Sequence, residues 1–465
     1  MSLIHKTARQ VRALLANGDV TTADLLDALQ ARHSEVDDKV NALPTTCFDR
    51  AREWRAEADS VLGGLPVAIK DLSDVAGVRS TQGSPIYADH VPEASDHIVQ
   101  AIEDGGGVVY AKSNTPEFGA GASTFNEVFG RTHNPWNLSR SVAGSSGGSA
   151  AALVSGTAWL AHGSDMGGSL RNPASFCGCV GLRPSAGRVP SGPSNNEFEV
   201  LGQQGPMARN VGDLGLFLDA MAGPDPAEPF AQPGNAGFVT AAETPRAPRR
   251  VAWSADLGGL TPVDPEVRAI TEAAAKRFEA LGATVEEACP DYSGAHEAFQ
   301  TLRAISYATA HDSHYRNDRD KLKPDVIWNI EKAFDLTGAD IVRANTIRNR
   351  MTQSHAAFFQ TYDLLLSPAT IVSPFAVEDR TVTHCDGLEF ETYIDWLAIA
   401  FAVTLTSAPA LSLPCGFTVD GLPVGLQMVG RLRGETPLLR FAAALEADLG
   451  LDLGPIDPRE GLPPA

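Results

Sequence analysis

The stretch SDHIVQAIEDGGGVVYAKSN, Ser95 to Asn114, constrains the fold of this chain more than any other. It reads as a helix, a glycine turn and a strand, one step of a βαβ unit. A second step follows in RRVAWSADL and DPEVRAITEAAAKRFEALGATVEEA, as strand, loop, helix and strand. Two such steps predict an α/β fold. Before them, TARQVRALLANGDVTTADLLDALQARHSEV has apolar residues at helical spacing, broken at NGD and restarted at TTADLL, so two helices lead the chain. A short apolar strand, Leu65 to Ile69, then delivers Lys70 at its end.

Charge and cysteine usage narrow the class. With 57 acidic against 37 basic residues the formal net charge is -20, which disfavours nucleic acid and anionic membrane surfaces as partners. No apolar run reaches the roughly 18 residues of a membrane span, and the start shows no signal sequence, so a cytoplasmic protein is expected. The cysteines Cys47, Cys177, Cys179, Cys289, Cys385 and Cys415 lack C-x-x-C spacing and read as buried free thiols. His311 and His314 share a helical face but have no third ligand nearby, so no metal is expected. The proline-rich segment between the two α/β steps reads as an exposed loop.

Two glycine and serine clusters carry the chemistry. GSSGGS, Gly144 to Ser149, fits the G-x-S-x-G nucleophile elbow, which would make Ser146 the attacking group. The upstream NPWNLSRSVA is a poor strand, although GSAAALVSGTAWLAH downstream is a good helix. A packing loop whose serines cap that helix at Ser149, and a phosphate cradle, are the other readings. In the second cluster, GSDMGGSLRNP, Gly167 and Gly168 leave backbone N–H groups unobstructed before Ser169, a concavity suited to a developing oxyanion. Asp165 and Arg171 are expected to pair and brace that loop.

The run AGSSGGSAAALVSGTAWLAHGSDMGGSLRNPASFCGCVGLRP, Ala143 to Pro184, resembles the amidase signature family, as do GGLPVAIKD upstream and GPMARNVGDL and PALSLPCGFTVDGLPVGLQMVG downstream. The resemblance implies an amidase signature fold: a central mixed, twisted β-sheet covered by helices on both faces. It implies one domain over residues 1–465, with a helical N-terminal arm at about 1–62, a signature core at about 63–224 and a variable, mainly helical pocket region at about 291–400. It also implies a Ser-Ser-Lys triad in which Ser169 is the nucleophile, Ser145 relays the proton and Lys70 accepts it. The oxyanion hole falls on the backbone of Met166, Gly167, Gly168 and Ser169, Gly119 lies on the substrate side within TPEFGAG, and Ser146, Asp165 and Arg171 support the triad. The peptide before Ser145 is expected to be cis. No cofactor or metal is implied.

Elementary chemistry agrees with these roles. A lysine acts as a base only when its pKa falls well below about 10.4, and desolvation by the apolar strand before Lys70 works in that direction. A serine hydroxyl both donates and accepts, so Ser145 is able to relay a proton. Three positions depart from the family: Ala143 stands where a glycine is common, and Thr404 and Ser407 stand where an asparagine and a glycine are frequent, near the family's substrate side. The implied function is hydrolysis of a small carboxylic amide through an acyl-enzyme by a free-standing amidase, a homodimer being compatible with it. The alternative is the glutaminase component of a tRNA-dependent amidotransferase, whose usual DTGGSIRQP differs here at points that include Met166 and Asn172.

Overall fold

The computed structural model describes residues 2–234 and 237–460. Eleven strands form one mixed sheet: β1 (Thr45–Thr46), β2 (Pro66–Lys70), β3 (Val108–Ser113), β4 (Leu160–Asp165), β5 (Val180–Arg183), β6 (Gln203–Ala208), β7 (Arg250–Trp253), β8 (Thr284–Glu287), β9 (Leu364–Pro368), β10 (Ala410–Phe417) and β11 (Pro423–Val429). Their spatial order is β1-β3-β2-β4-β6-β5-β10-β11-β9-β7-β8. β2 runs parallel to β3 and β4, β7 runs parallel to β8 and β9, and the strands between them pair antiparallel. The two parallel groups are the two βαβ steps read from the sequence. Helices flank the sheet, and one buried apolar cluster extends from Ala8 to Leu445.

Local rules account for most boundaries. The leading helices Ala8–Asn17 and Thr22–Val40 open on capping boxes at Thr7 and Thr21, and Gly18 ends the first in the left-handed conformation. Every residue of β2 is buried, as expected of a parallel strand covered on both faces.

Two boundaries differ from the sequence reading. The helix after GSSGGS spans Gly147–Ser155 and stops at Gly156, at φ +79°, so the following Leu160–Asp165 run is strand β4. Ser149 lies inside that helix and does not cap it; its hydroxyl donates to His162 O at 2.7 Å and shares a 2.7 Å hydrogen bond with Ser113 Oγ. NPWNLSRSVA does contain a strand, Asn137–Ser141, but it pairs with His133–Asn134 and bridges to Ala376, outside the main sheet.

Candidate active site

The register of three parallel strands sets the site. Lys70 ends β2 opposite Ser113 of β3, while β4 runs out through Ser164 and Asp165 into the Met166–Ser169 loop. Gly147 and Gly148 let the next helix approach closely. A Cβ on Gly148 would lie 2.7 Å from Asn114 O, and one on Gly147 would overlap Thr124. The packing reading of GSSGGS is therefore right for these glycines, and the approach brings Ser145 and Ser146 onto Lys70. The Gly144–Ser145 peptide is cis, and Ala143 holds φ +57°.

Lys70 is fully buried, and its Nζ donates to three hydroxyls: Ser145 Oγ at 2.6 Å, Ser146 Oγ at 3.0 Å and Ser164 Oγ at 3.0 Å. No carboxylate bonds it among the described residues. Burial lowers its pKa from 10.5 to about 7, against a weaker opposing pull from Asp165. A second buried lysine on the adjacent strand gives the contrast. Lys112 Nζ lies 2.8 Å from Asp71 Oδ1 and donates to Ser80 Oγ. Two buried lysines thus stand on adjacent strands, one ion-paired and one held only by hydroxyls.

Asp165 organises the loop beyond β4. Its carboxylate accepts from the Gly168 and Leu170 amides at 2.9 and 3.1 Å and from Arg171 Nε and Nη2 at 3.0 and 2.8 Å. Arg171 spends its other N–H groups on Ala400 O, Gln427 Oε1 and Thr404 Oγ1. Arg183 donates to Asp165 O and Leu201 O. Despite full burial, the two guanidinium groups hold the Asp165 carboxyl far below the ordinary carboxylate range. The Ser146 amide donates to Ser169 O at 3.2 Å, tying the two serine clusters together. Ser145, Ser164, Met166 and Ser169 all open onto a cleft of about 280 Å³.

The amidase family model matches residues 24–439. The chain belongs to the amidase family. It is 35% identical to an acylamidase of Rhodococcus erythropolis over 95% of each chain. It is 32% identical to a glutamyl-tRNA(Gln) amidotransferase chain of Moorella thermoacetica, over 96% of this chain and 97% of that one. The structure of a 6-aminohexanoate cyclic dimer hydrolase with its substrate superimposes with a TM-score of 0.88 at 27% identity, covering 97% and 98% of the two chains. As a member of its family the protein is an amidase, an amide hydrolase built on the amidase signature fold.

In this amidase the sequence-derived residues converge around one cleft, with corrections. Gly168 is not a free oxyanion donor, because its N–H is committed to Asp165; its φ of +106°, and Asn172 Oδ1 at 2.5 Å from where a Cβ would stand, are what require glycine there. The amides of Met166, Gly167 and Ser169 have no protein acceptor among the described residues. Gly119 lines the cleft at φ +68°, and a Cβ there would lie 3.5 Å from Ser145 Oγ. Thr404 and Ser407 do not line it: Thr404 is buried against Arg171, and Ser407 holds φ +58° beside Arg348. Ser164 escaped the sequence reading, although it sits inside the quoted GSDMGGS. Much of the wall comes from Gly187 to Gln204 and from Glu228 and Phe230, and the 291–400 region contributes only Ser306, Tyr307, Ala310 and His311. His314 stacks on Phe118, and the His311 ring packs against it at a tilt of 34°. No metal-binding group of His, Cys, Asp or Glu occurs among the described residues, and no helix there is long and apolar enough to cross a membrane.

Proposed function

We propose that this amidase cleaves a small uncharged carboxylic amide through an acyl-enzyme on Ser169, acting as a free-standing enzyme with one catalytic domain. The observation that carries the proposal is Lys70, buried without a carboxylate partner and 2.6 Å from Ser145 Oγ. Near neutral pH such a lysine has a lone pair to accept a proton. Ser169 Oγ attacks the carbonyl carbon and yields its proton to Ser145, whose own proton passes to Lys70 Nζ. The resulting oxyanion lies in reach of the free amides of Met166, Gly167 and Ser169, which supply fixed donors without reorganisation. Collapse expels the amine, which takes a proton back from Lys70 through Ser145. Water then attacks the acyl ester, its proton passing through Ser145 to Lys70, and collapse releases the acid as Ser169 Oγ takes that proton back. Ser146 and Asp165 with Arg171 hold the lysine and the loop.

Charge favours this reading over a glutaminase. Glu197, Glu199 and Glu228 line the cleft, and no lysine or arginine does among the described residues, so the α-carboxylate of glutamine meets no cation there. The free cysteines among the described residues support a reducing, cytoplasmic setting. The test is mass detection of a Ser169 acyl adduct during turnover of a panel of aliphatic, aryl and cyclic amides. Full turnover by Ser169→Ala, or activity confined to glutamine, refutes the proposal.

A further inference from the structure

Beside Ser145 the cleft is bounded by rings. Phe118 stands directly before Gly119 at φ +49°, an unusual conformation for a bulky residue, and its carbonyl accepts a 3.2 Å hydrogen bond from Tyr307 Oη. Its ring lies 4.3 Å from that of His311 and is stacked on His314 at 5.3 Å and 9°. Tyr87 meets both Phe118 and His314 edge-on and hydrogen-bonds His314 Nε2 at 2.8 Å. These rings belong to an apolar cluster separate from the main core, built on Phe118, Tyr307, Leu322, Val326 and Ile330. Phe118, Tyr307 and His311 open onto the cleft together with Ser145 and Ser169.

The imidazole of His311 makes no hydrogen bond among the described residues. Its Nδ1 is buried with no hydrogen-bond partner among the described residues, a cost that an apolar side chain of similar volume avoids. Burial lowers its pKa to about 3, so the imidazole is neutral over the working range. A neutral aromatic ring at the wall of a cleft lined by no lysine or arginine among the described residues is suited to another uncharged ring, because aromatic pairs gain from quadrupole alignment beyond the area they bury.

We propose that His311, backed by Phe118, is the specificity-determining surface of the cleft and receives a planar, uncharged aromatic ring of the amide. This rests on the hydrolase reading above. The saturated ring of the same size buries similar area without the π contact, which defines the test. Dissociation constants of benzamide and cyclohexanecarboxamide, and of acetanilide and N-cyclohexylacetamide, are measured by calorimetry on the Ser169→Ala protein, alone and with His311→Leu or His311→Phe. The kcat/KM ratios for the same pairs are measured with Ser169 present. The expected result is an aryl preference in at least one pair that falls about 3- to 10-fold in His311→Leu, chiefly through KM, and is retained in His311→Phe. Aryl-to-cyclohexyl ratios unchanged by His311→Leu in both pairs overturn the proposal. Aryl-selective binding without turnover of any amide by the unmodified enzyme counts against the hydrolase reading and leaves this one standing.

Discussion

On the proposed mechanism, replacing Lys70 by methionine removes the base and a stability cost together, and pH separates the two. Moving an ammonium from an ordinary pKa of 10.5 to about 7 on folding costs roughly 4 to 5 kcal/mol, at about 1.4 kcal/mol per pH unit. Between pH 7 and 10.5 the unfolded chain holds this proton and the folded chain does not, so stability rises with pH across that window. The cost is complete below pH 7 and absent above 10.5. Lys70→Met escapes it but leaves the hydroxyls of Ser145, Ser146 and Ser164 short of one partner each, at about 1 kcal/mol apiece or less. The variant is therefore expected to be about 1 to 3 kcal/mol more stable than the parent at pH 7 and, once the pKa cost has vanished above pH 10.5, about 1 to 3 kcal/mol less stable. Equilibrium urea unfolding of both proteins at several pH values between 6 and 10.5, followed by circular dichroism, measures the difference curve, from which all other titrating groups cancel. If the same group is the base, as proposed, kcat/KM should rise about tenfold per pH unit below 7 and level off above about 8. A difference curve flat from pH 7 to 10 means that Lys70 keeps its proton in the fold, and the base assignment fails with it.

Three other outcomes are expected. Ser164→Ala removes an acceptor that favours the charged lysine, so the acid limb of the pH–rate profile shifts to lower pH and turnover falls roughly tenfold; a superimposable profile denies Ser164 any part in holding the base. Asp165→Asn leaves the Arg171 and Arg183 guanidinium groups buried without their counter-charge and is expected to cost roughly 3 to 5 kcal/mol, readable as a lowered urea midpoint; an unchanged midpoint removes the brace from the account. Gly168→Ala forces a Cβ against Asn172 at positive φ, for a loss of about 1 to 3 kcal/mol in the same assay and a disordered oxyanion loop; wild-type stability with full activity contradicts the geometric reason given for this glycine.

What was legible in the sequence was what depends on chain-local pattern. The apolar run ending at Lys70, the helix, turn and strand after Ser95, and the order of the two serine clusters each fit within a few turns of chain. The misreadings arise where a side-chain contact decides, whether its partner is near or far along the chain. Ser149 looks like a helix cap, but β4 supplies His162 O to its hydroxyl, so the helix starts two residues earlier. Gly168 looks like an open donor until the Asp165 carboxylate turns back onto it. Thr404 looks like a pocket residue until Arg171 reaches it from the other motif. Ser164 is invisible for the opposite reason: its role depends on which face of β4 meets β2, and no period within one short strand reveals that.

The neighbouring buried lysines show why a site of this kind needs its glycines and ion pairs where they are. A carboxylate within reach of Lys70 would hold it charged and useless as a base, yet the loop needs a buried carboxylate to order its amides. Asp165 meets both conditions because its own hydrogen bonds go to Arg171 and to the Gly168 and Leu170 amides, while Lys70 bonds only hydroxyls. Asp71 does the equivalent for Lys112 one strand away. Asp71 is paired with Lys112 and Asp165 with Arg171, and the Lys70 ammonium hydrogen-bonds only serines among the described residues. Lys70 is displaced to about 7 by desolvation, with Asp165 only partly opposing it. Weakening the Asp165–Arg171 pair should therefore raise the lysine's pKa as well as loosen the loop, and Arg171→Met should move the acid limb upward where Ser164→Ala moves it down.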